Sequence, residues 1–374
     1  MALDPLIVFC PNLACPARGR LKEGNITIHS QKERRFKCSV CRKTFAATKG
    51  TPFYRLRHSD ERFTQVVTLL AHGCPTQAIV AAFSLDERTV ADWQQRAGLH
   101  CRAVHEQWVA TPRDLGQVQM DELRVKQQGG IVWVALAVMV STRLWLGGVV
   151  SDRRDSALIT ALVEQVRACA SALTLGLLFC TDGLKSYISA IGSVFREAVP
   201  TGQVGRPSLR TWPRLFIAQA VKQYEQGRVS GIERRVGGGE ASEVERMIAK
   251  TQGEGVINTA FIERLNATFR QRLASLVRRS RALAKVSRTL EAGMYLVGVV
   301  YNFCTEHQSL RMPGLIGGRK WLARTPAMAA GITDHCWQVS ELLSYHVAPS
   351  PWQPPKRRGR VSAATKQLIA RWCQ

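Results

Sequence analysis

The sequence predicts a multidomain α/β protein, and three observations carry that expectation. The apolar run at 173–181 ends in Asp182, turns at Gly183, and passes into residues patterned as a helix. A run of that kind suits a strand buried on both faces. Three further strand-like stretches precede it, with one helical stretch between. Near the N-terminus, Cys10, Cys15, Cys38 and Cys41 fall in two pairs, the pattern of a small metal-bound module ahead of the main fold.

The chain has 374 residues, long enough for two or three domains. Its 52 Lys and Arg outweigh 28 Asp and Glu, a formal charge of +24. Such an excess favours a polyanionic partner, most simply nucleic acid. No stretch of eighteen apolar residues and no leader-like start are present, so a membrane partner is not expected and a cytoplasmic location is. Eleven cysteines fit that compartment as one metal site plus buried thiols.

Taken in order, residues 1–50 read as a zinc ribbon. The knuckles are C-x4-C and C-x2-C with twenty-two residues between, and four thiolates suit one structural Zn2+. Residues 25–29 and 35–37 are the expected strands. So small a module has no core of its own, and the metal is expected to supply much of its folding energy. Residues 51–112 read as a helix-turn-helix module. Ser59 is a good N-cap, and Phe63, Val66, Val67 and Leu70 make one apolar face. Thr76 opens a second helix, and residues 88–96 form a third. Its outward candidates are Glu87, Arg88, Thr89, Asp92 and Gln95, of which Arg88, Thr89 and Gln95 are expected to meet DNA. A plain helical hairpin is the competing reading.

Residues 113–310 read as the main α/β domain. Strands are expected at 116–125, 131–140 and 143–150, then a helix carrying Ile159, Leu162, Val163 and Val166, then the 173–181 strand. Three consecutive strands, a crossover helix and a strand ending in an acid is the order of a ribonuclease-H-like mixed sheet, with a right-handed crossover. Residues 196–257 are less regular and read as an insertion, apart from a fifth strand at 215–224. Residues 258–288 read as one long helix with Glu263 and Arg270 on a shared face and Arg278 and Arg279 downstream. An apolar helix at 290–303 should back the core. Residues 311–374 form a C-terminal extension. Its basic tail around Arg357 reads either as a nonspecific phosphate contact or as inert.

Asp182 at a strand exit has a simple competing role as a helix N-cap. Two other acids in matching contexts, Asp121 and Glu263, sharpen the alternative. With these residues in view, the chain resembles bacterial DDE-type insertion-sequence transposases. The resemblance rests on the cysteine ribbon with Lys43-Thr44-Phe45, on Gln119-Met120-Asp121-Glu122, on residues 181–187 and on residues 258–266. Residues 301–310 and 325–331 add to it. It implies a catalytic triad of Asp121, Asp182 and Glu263 holding two Mg2+ (or Mn2+) ions, with Arg270 matching the basic position after the family's Glu. Glu122 beside Asp121 leaves the first ligand ambiguous, and Asp121 is preferred.

The expected chemistry is DNA strand cleavage and strand transfer, since clustered carboxylates and two divalent ions about 4 Å apart suit in-line displacement at phosphorus. The partners implied are double-stranded DNA, namely the element's terminal inverted repeats and a target, and a second copy of the chain, because two ends must be held together. Two alternatives stay open: a nuclease that cuts without joining, and a catalytically silent DNA-binding regulator.

Overall fold

The computed structural model describes residues 3–171, 176–199, 207–253, 255–277, 286–314, 320–354 and 361–373. Arg278, Arg279 and Arg357 lie outside these described residues. The chain divides into two compact units, Met1–Phe63 with Ser340–Gln374, and Thr64–Val339. Among the described residues, no helix is long and apolar enough to cross a membrane.

The first unit is built on a three-stranded antiparallel sheet, β1 (Ile26–Ser30), β2 (Arg35–Cys38) and β3 (Thr44–Ala46). Phe36 pairs with Phe45 across β2 and β3, and their rings lie 5.8 Å apart. The module was expected to lack a core, and it has one. Val8, Ala17, Ile26 and Phe36 pack with three of the four cysteines, and Trp372 from the C-terminal helix Ala363–Trp372 joins them. Arg20 donates to the Trp372 carbonyl at 2.9 Å, and Arg18 donates to the carbonyls of Ser350 and Pro351. The chain's far end thus supplies apolar surface that the first fifty residues do not contain.

Three helices follow, α1 (Asp60–Ala71), α2 (Thr76–Phe83) and α3 (Glu87–Trp108). Ser59 Oγ accepts the Arg62 N–H at 3.3 Å, the capping contact the sequence suggested. Ser84 takes a left-handed conformation to end α2, and Asp86 accepts the Arg88 N–H at 2.7 Å to start α3. α3 does not stop near Arg96. It runs a further three turns because Ala97, Cys101 and Val104 continue the buried stripe begun by Val90 and Trp93.

The second unit is centred on a mixed sheet. Its strands are β4 (Gln117–Gln127), β5 (Gly130–Met139), β6 (Trp145–Ser151), β7 (Leu177–Thr181), and, after a short hairpin of β8 (Arg196–Val199) and β9 (Ser208–Thr211), β10 (Leu215–Glu225) and β11 (Arg228–Gly238). Among the described residues the central sheet holds six strands in the order β11-β10-β7-β4-β5-β6. β4, β7 and β10 run parallel as neighbours, β5 and β11 run against them, and β6, antiparallel to β5, returns to the direction of β4. The region 196–257 is therefore no irregular insertion: β10 completes the parallel core, β11 adds an edge, and helix α6 (Ala241–Gln252) packs Val244, Met247 and Ile248 against Leu178 and Cys180 of β7 and Phe216 and Ala218 of β10.

Helix α4 (Ser156–Cys169) crosses from β6 to β7, and α5 (Lys185–Val194) follows β7. Beyond α6, α7 (Ala260–Arg272) and α8 (Ser287–Cys304) complete the unit. A Cβ on Gly147 would meet Gln165 of α4, whereas one on Gly148 would meet Met294 of α8. Successive strand residues point to opposite faces, so α4 and α8 cover opposite sides of the sheet. α3 lies on α8, and at Gly98 a Cβ would collide with the Ala292 carbonyl, so glycine permits the close approach.

The single long helix expected over 258–288 is not formed. α7 ends at Arg272, Leu273 is extended, and Ala274–Leu276 makes a short 3-10 turn. Leu273 and Leu276 are buried all the same, so their spacing mimicked a continuing helical face.

Candidate functional site

The site begins with register. β4 and β7 are parallel neighbours, with Gln119 level with Cys180. That pairing stops two residues short of Asp182 and β7 itself ends at Thr181, so continuing the register brings Asp121 on β4 alongside Asp182 just past the end of β7. Asp121 and Glu122 are consecutive, and a strand turns such residues to opposite faces. Asn266 of α7 donates to Asp121 Oδ2 at 2.8 Å, while Tyr187 of α5 donates to Glu122 Oε1. Where β7 stops, the two faces meet, and ligand oxygens of Asp121, Glu122 and Asp182 all lie within 4.8 Å of one another.

Glu263 enters from the first turn of α7 and lines the same cavity, of about 710 Å3, with Asp121, Glu122, Asp182 and Arg270. It stands outside the three-acid cluster. Its Oε1 accepts from Lys222 Nζ at 2.6 Å and from Thr259 Oγ1 at 2.7 Å. The shared face expected for Glu263 and Arg270 is thus a shared cleft, in which Glu263 also forms an ion pair with Lys222. Asp182 is not the helix N-cap: Leu184 holds that position without a side-chain capping bond, and Asp182 Oδ1 accepts the Leu184 N–H at 3.0 Å in the turn before it.

Electrostatics separate these acids. Burial, the Glu122 charge, and more distantly Asp182 and Glu263 push Asp121 up from 3.8 to about 7. Burial raises Glu122 too, against the Tyr187 and Arg154 hydrogen bonds that oppose it. For Glu263 burial acts upward, but the Lys222 and Thr259 hydrogen bonds outweigh it and hold the carboxyl below its usual value. Clustered acids that raise one another are a poor resting arrangement without a cation. The donor set is all oxygen and suits a hard divalent ion. These acids could bind such a metal.

Asp121 carries a consequence for pH. Between its ordinary value of 3.8 and about 7, the unfolded chain has released a proton that the fold retains. The metal-free protein therefore loses stability as pH rises through that window. Without added divalent ions, the melting temperature of wild type is expected to fall between about pH 4 and pH 7 relative to Asp121→Asn, which cannot titrate there. Parallel pH profiles for the two proteins would refute this.

The four cysteines form the second group. Cys10 and Cys41 sulfurs lie 3.6 Å apart and Cys15 and Cys38 sulfurs 3.9 Å apart, with all four inside 4.8 Å. Tetrahedral thiolates at about 2.3 Å from a zinc ion are about 3.8 Å from each other. The cluster could hold a metal such as zinc. Burial first, and then neighbouring thiols, raise Cys10, and burial chiefly raises Cys15, to about 12. Burial pushes Cys41 upward as well, but the Lys43 backbone N–H and Asn12 win, bringing it to about 7.

Of the expected DNA contacts, Arg88 is exposed and Thr89 half-buried at the start of α3. Gln95 is half-buried, and its Nε2 is buried with no hydrogen-bond partner among the described residues. Four residues at the acid site carried no expectation of a role: Arg154, Tyr187, Lys222 and Asn266. Tyr187 and Asn266 fall inside quoted stretches of sequence, which was a usable signal. Arg154 and Lys222 sit in ordinary strand and turn contexts. No family model matches this sequence, and no curated protein matches it.

Proposed function

We propose that this protein is a DDE-type transposase, an enzyme that cleaves DNA strands at the ends of an insertion sequence and joins them to a target. One observation carries the reading: Asp121, Asp182 and Glu263, from β4, the end of β7 and α7, line one cleft. The strand order supports it. Leaving aside the edge strand β11, the sheet is a meander of β4, β5 and β6 with β7 and β10 added in parallel on the other side of β4. That is the arrangement expected of a ribonuclease-H-like domain. Ligands in such sheets collect at the carboxyl ends of the parallel strands, where Asp182 lies.

Asp121, Asp182 and Glu263 would hold Mg2+ or Mn2+, and Cys10, Cys15, Cys38 and Cys41 would hold one structural Zn2+. When bound, paired divalent ions supply charge stabilisation and an activated nucleophile for displacement at phosphorus. The chain's own residues prepare the site for that. Asn266 fixes Asp121, the Leu184 N–H fixes Asp182, and Lys222 keeps Glu263 ionised. Arg270 in the cleft would meet a backbone phosphate, and the exposed Arg88 would face the element's ends from the start of α3. Two DNA ends must be held together, so at least a dimer is expected.

The test is to incubate the protein with Mg2+ and a labelled duplex bearing the terminal inverted repeats that flank its gene. Metal-dependent nicks at the repeat tips and joined products in a second duplex are the expected result. Cutting without joining would make the protein a nuclease, and binding without either would make it a regulator. Binding should weaken steeply with salt. Arg88→Ala is expected to cost about 1–3 kcal/mol on repeat DNA but little on random DNA if Arg88 reads a base. An equal loss on both, read by mobility shift, would reduce it to a phosphate contact.

A further inference from the structure

Glu122 is the one acid of the cluster whose side chain is wholly buried. Both of its oxygens are engaged. Oε1 accepts from Tyr187, and Oε2 accepts from Arg154 Nε at 3.1 Å and Nη2 at 2.8 Å. The same Nη2 lies 3.5 Å from Asp182 Oδ2. The guanidinium also rests 5.1 Å from the centroid of the Trp133 ring on β5, a cation–π distance. Its backbone is tethered on both sides, by the end of β6 at Ser151 and by Asp155, whose Oδ1 caps α4 through the Leu158 N–H at 3.1 Å.

We infer that Arg154 is a positioning residue of the cleft: its guanidinium takes Glu122 out of the ligand set and holds Asp182 within reach of Asp121. The inference rests on the metal reading of the cleft given above. A carboxylate that already accepts three charge-assisted or short hydrogen bonds has little left for a cation. Among the described residues Asp121 Oδ1 accepts no hydrogen bond, and Asp182 Oδ2 has only the long 3.5 Å contact with Arg154, so each offers an oxygen to a cation. Arginine suits the task where lysine would not, because a planar fork can serve two carboxylates in a fixed geometry.

The test is direct binding of Mn2+ alone to the full-length, zinc-loaded protein, followed by electron paramagnetic resonance. Groups that orient a metal ligand typically contribute 10–100-fold in metal affinity. Arg154→Gln is therefore expected to weaken Mn2+ binding by about tenfold or more, with Arg154→Lys between it and wild type. Arg154→Gln also strands the buried Glu122 charge and can destabilise the fold, so the deciding protein is the double variant Glu122→Gln, Arg154→Gln. It lacks that stranded charge, and its melting temperature should recover. Its Mn2+ affinity should stay low, because Asp182 is still unheld.

Recovery of wild-type affinity in the double variant would show that Arg154 only neutralises Glu122, and would overturn the inference. Tighter Mn2+ binding in Arg154→Gln would make Arg154 a competitor for the cation's place, and would overturn it as well. Failure of the underlying metal reading has a different signature: wild type binds no Mn2+, or binds it equally well after Asp121→Asn.

Discussion

Asp182→Asn is expected to abolish Mg2+-dependent DNA cleavage and joining while leaving DNA binding and the fold intact. The amide keeps the side chain's shape. Its oxygen can still accept the Leu184 N–H, and the Asp182 carbonyl still accepts from Gln219 Nε2 at 2.8 Å. What is lost is one of the charges that a divalent ion requires. Metal stabilisation of a phosphoryl transition state is worth several kcal/mol, so the loss should be about a thousandfold or more in rate. Removing a charge from the cluster also relieves repulsion on Asp121, so the melting temperature without added metal should not fall.

Glu263→Gln should lose activity comparably. It additionally gives up the ion pair with Lys222, a half-exposed contact worth little to stability. Single-turnover cleavage of labelled repeat DNA and mobility shift on the same DNA separate the two effects. Near-normal cleavage by either amide variant would end the metal-triad reading. Loss of cleavage together with loss of binding would mean that the substitution had damaged more than the site.

Cys38→Ser is expected to release zinc and open the first unit while sparing the second. Cys38 is fully buried, pairs with Ile26 across β1 and β2, and accepts an N–H from Asn25 at its sulfur. It belongs to the core and would be a ligand as well. Structural zinc contributes about 10–16 kcal/mol to folding in zinc-finger peptides, more than the few side chains around it can replace. Trp372 and its neighbours soften the loss without cancelling it. Elemental analysis should find about one zinc per chain in wild type and almost none in the variant. Limited proteolysis should cut residues 3–63 quickly and leave the sheet of the second unit protected. Zinc retained by the variant, or absent from reduced wild type, would sink the assignment.

Much of the framework was legible because local pattern decides it. The cysteine spacing marked the ribbon, and the apolar runs marked β4, β5 and β7. The 3.6-residue stripe marked α4 and a continuous apolar stretch marked α8, while Asp182-Gly183 marked a strand exit. Where pattern is ambiguous, reading failed. α3 outran its expected end, α7 stopped short of its own, and β9 and β11 hid in a segment broken by proline and glycine, of which only the strand at 215–224 was expected. A buried 3-10 turn and a buried helix show the same apolar spacing, so no window of sequence distinguishes them.

By itself, the sequence determined which residues could be strands, helices and metal ligands, because propensity and burial periodicity act over a few residues. Only the tertiary structure decided which charges meet. Glu122 finds Arg154 thirty-two residues on, Glu263 finds Lys222 forty-one residues back, and Asp121 finds Asn266 at a separation of 145. Trp372 closes a core begun at Val8. Such pairings follow from strand order and chain closure. In a low-dielectric cleft they set the state of each carboxylate more strongly than its residue type does.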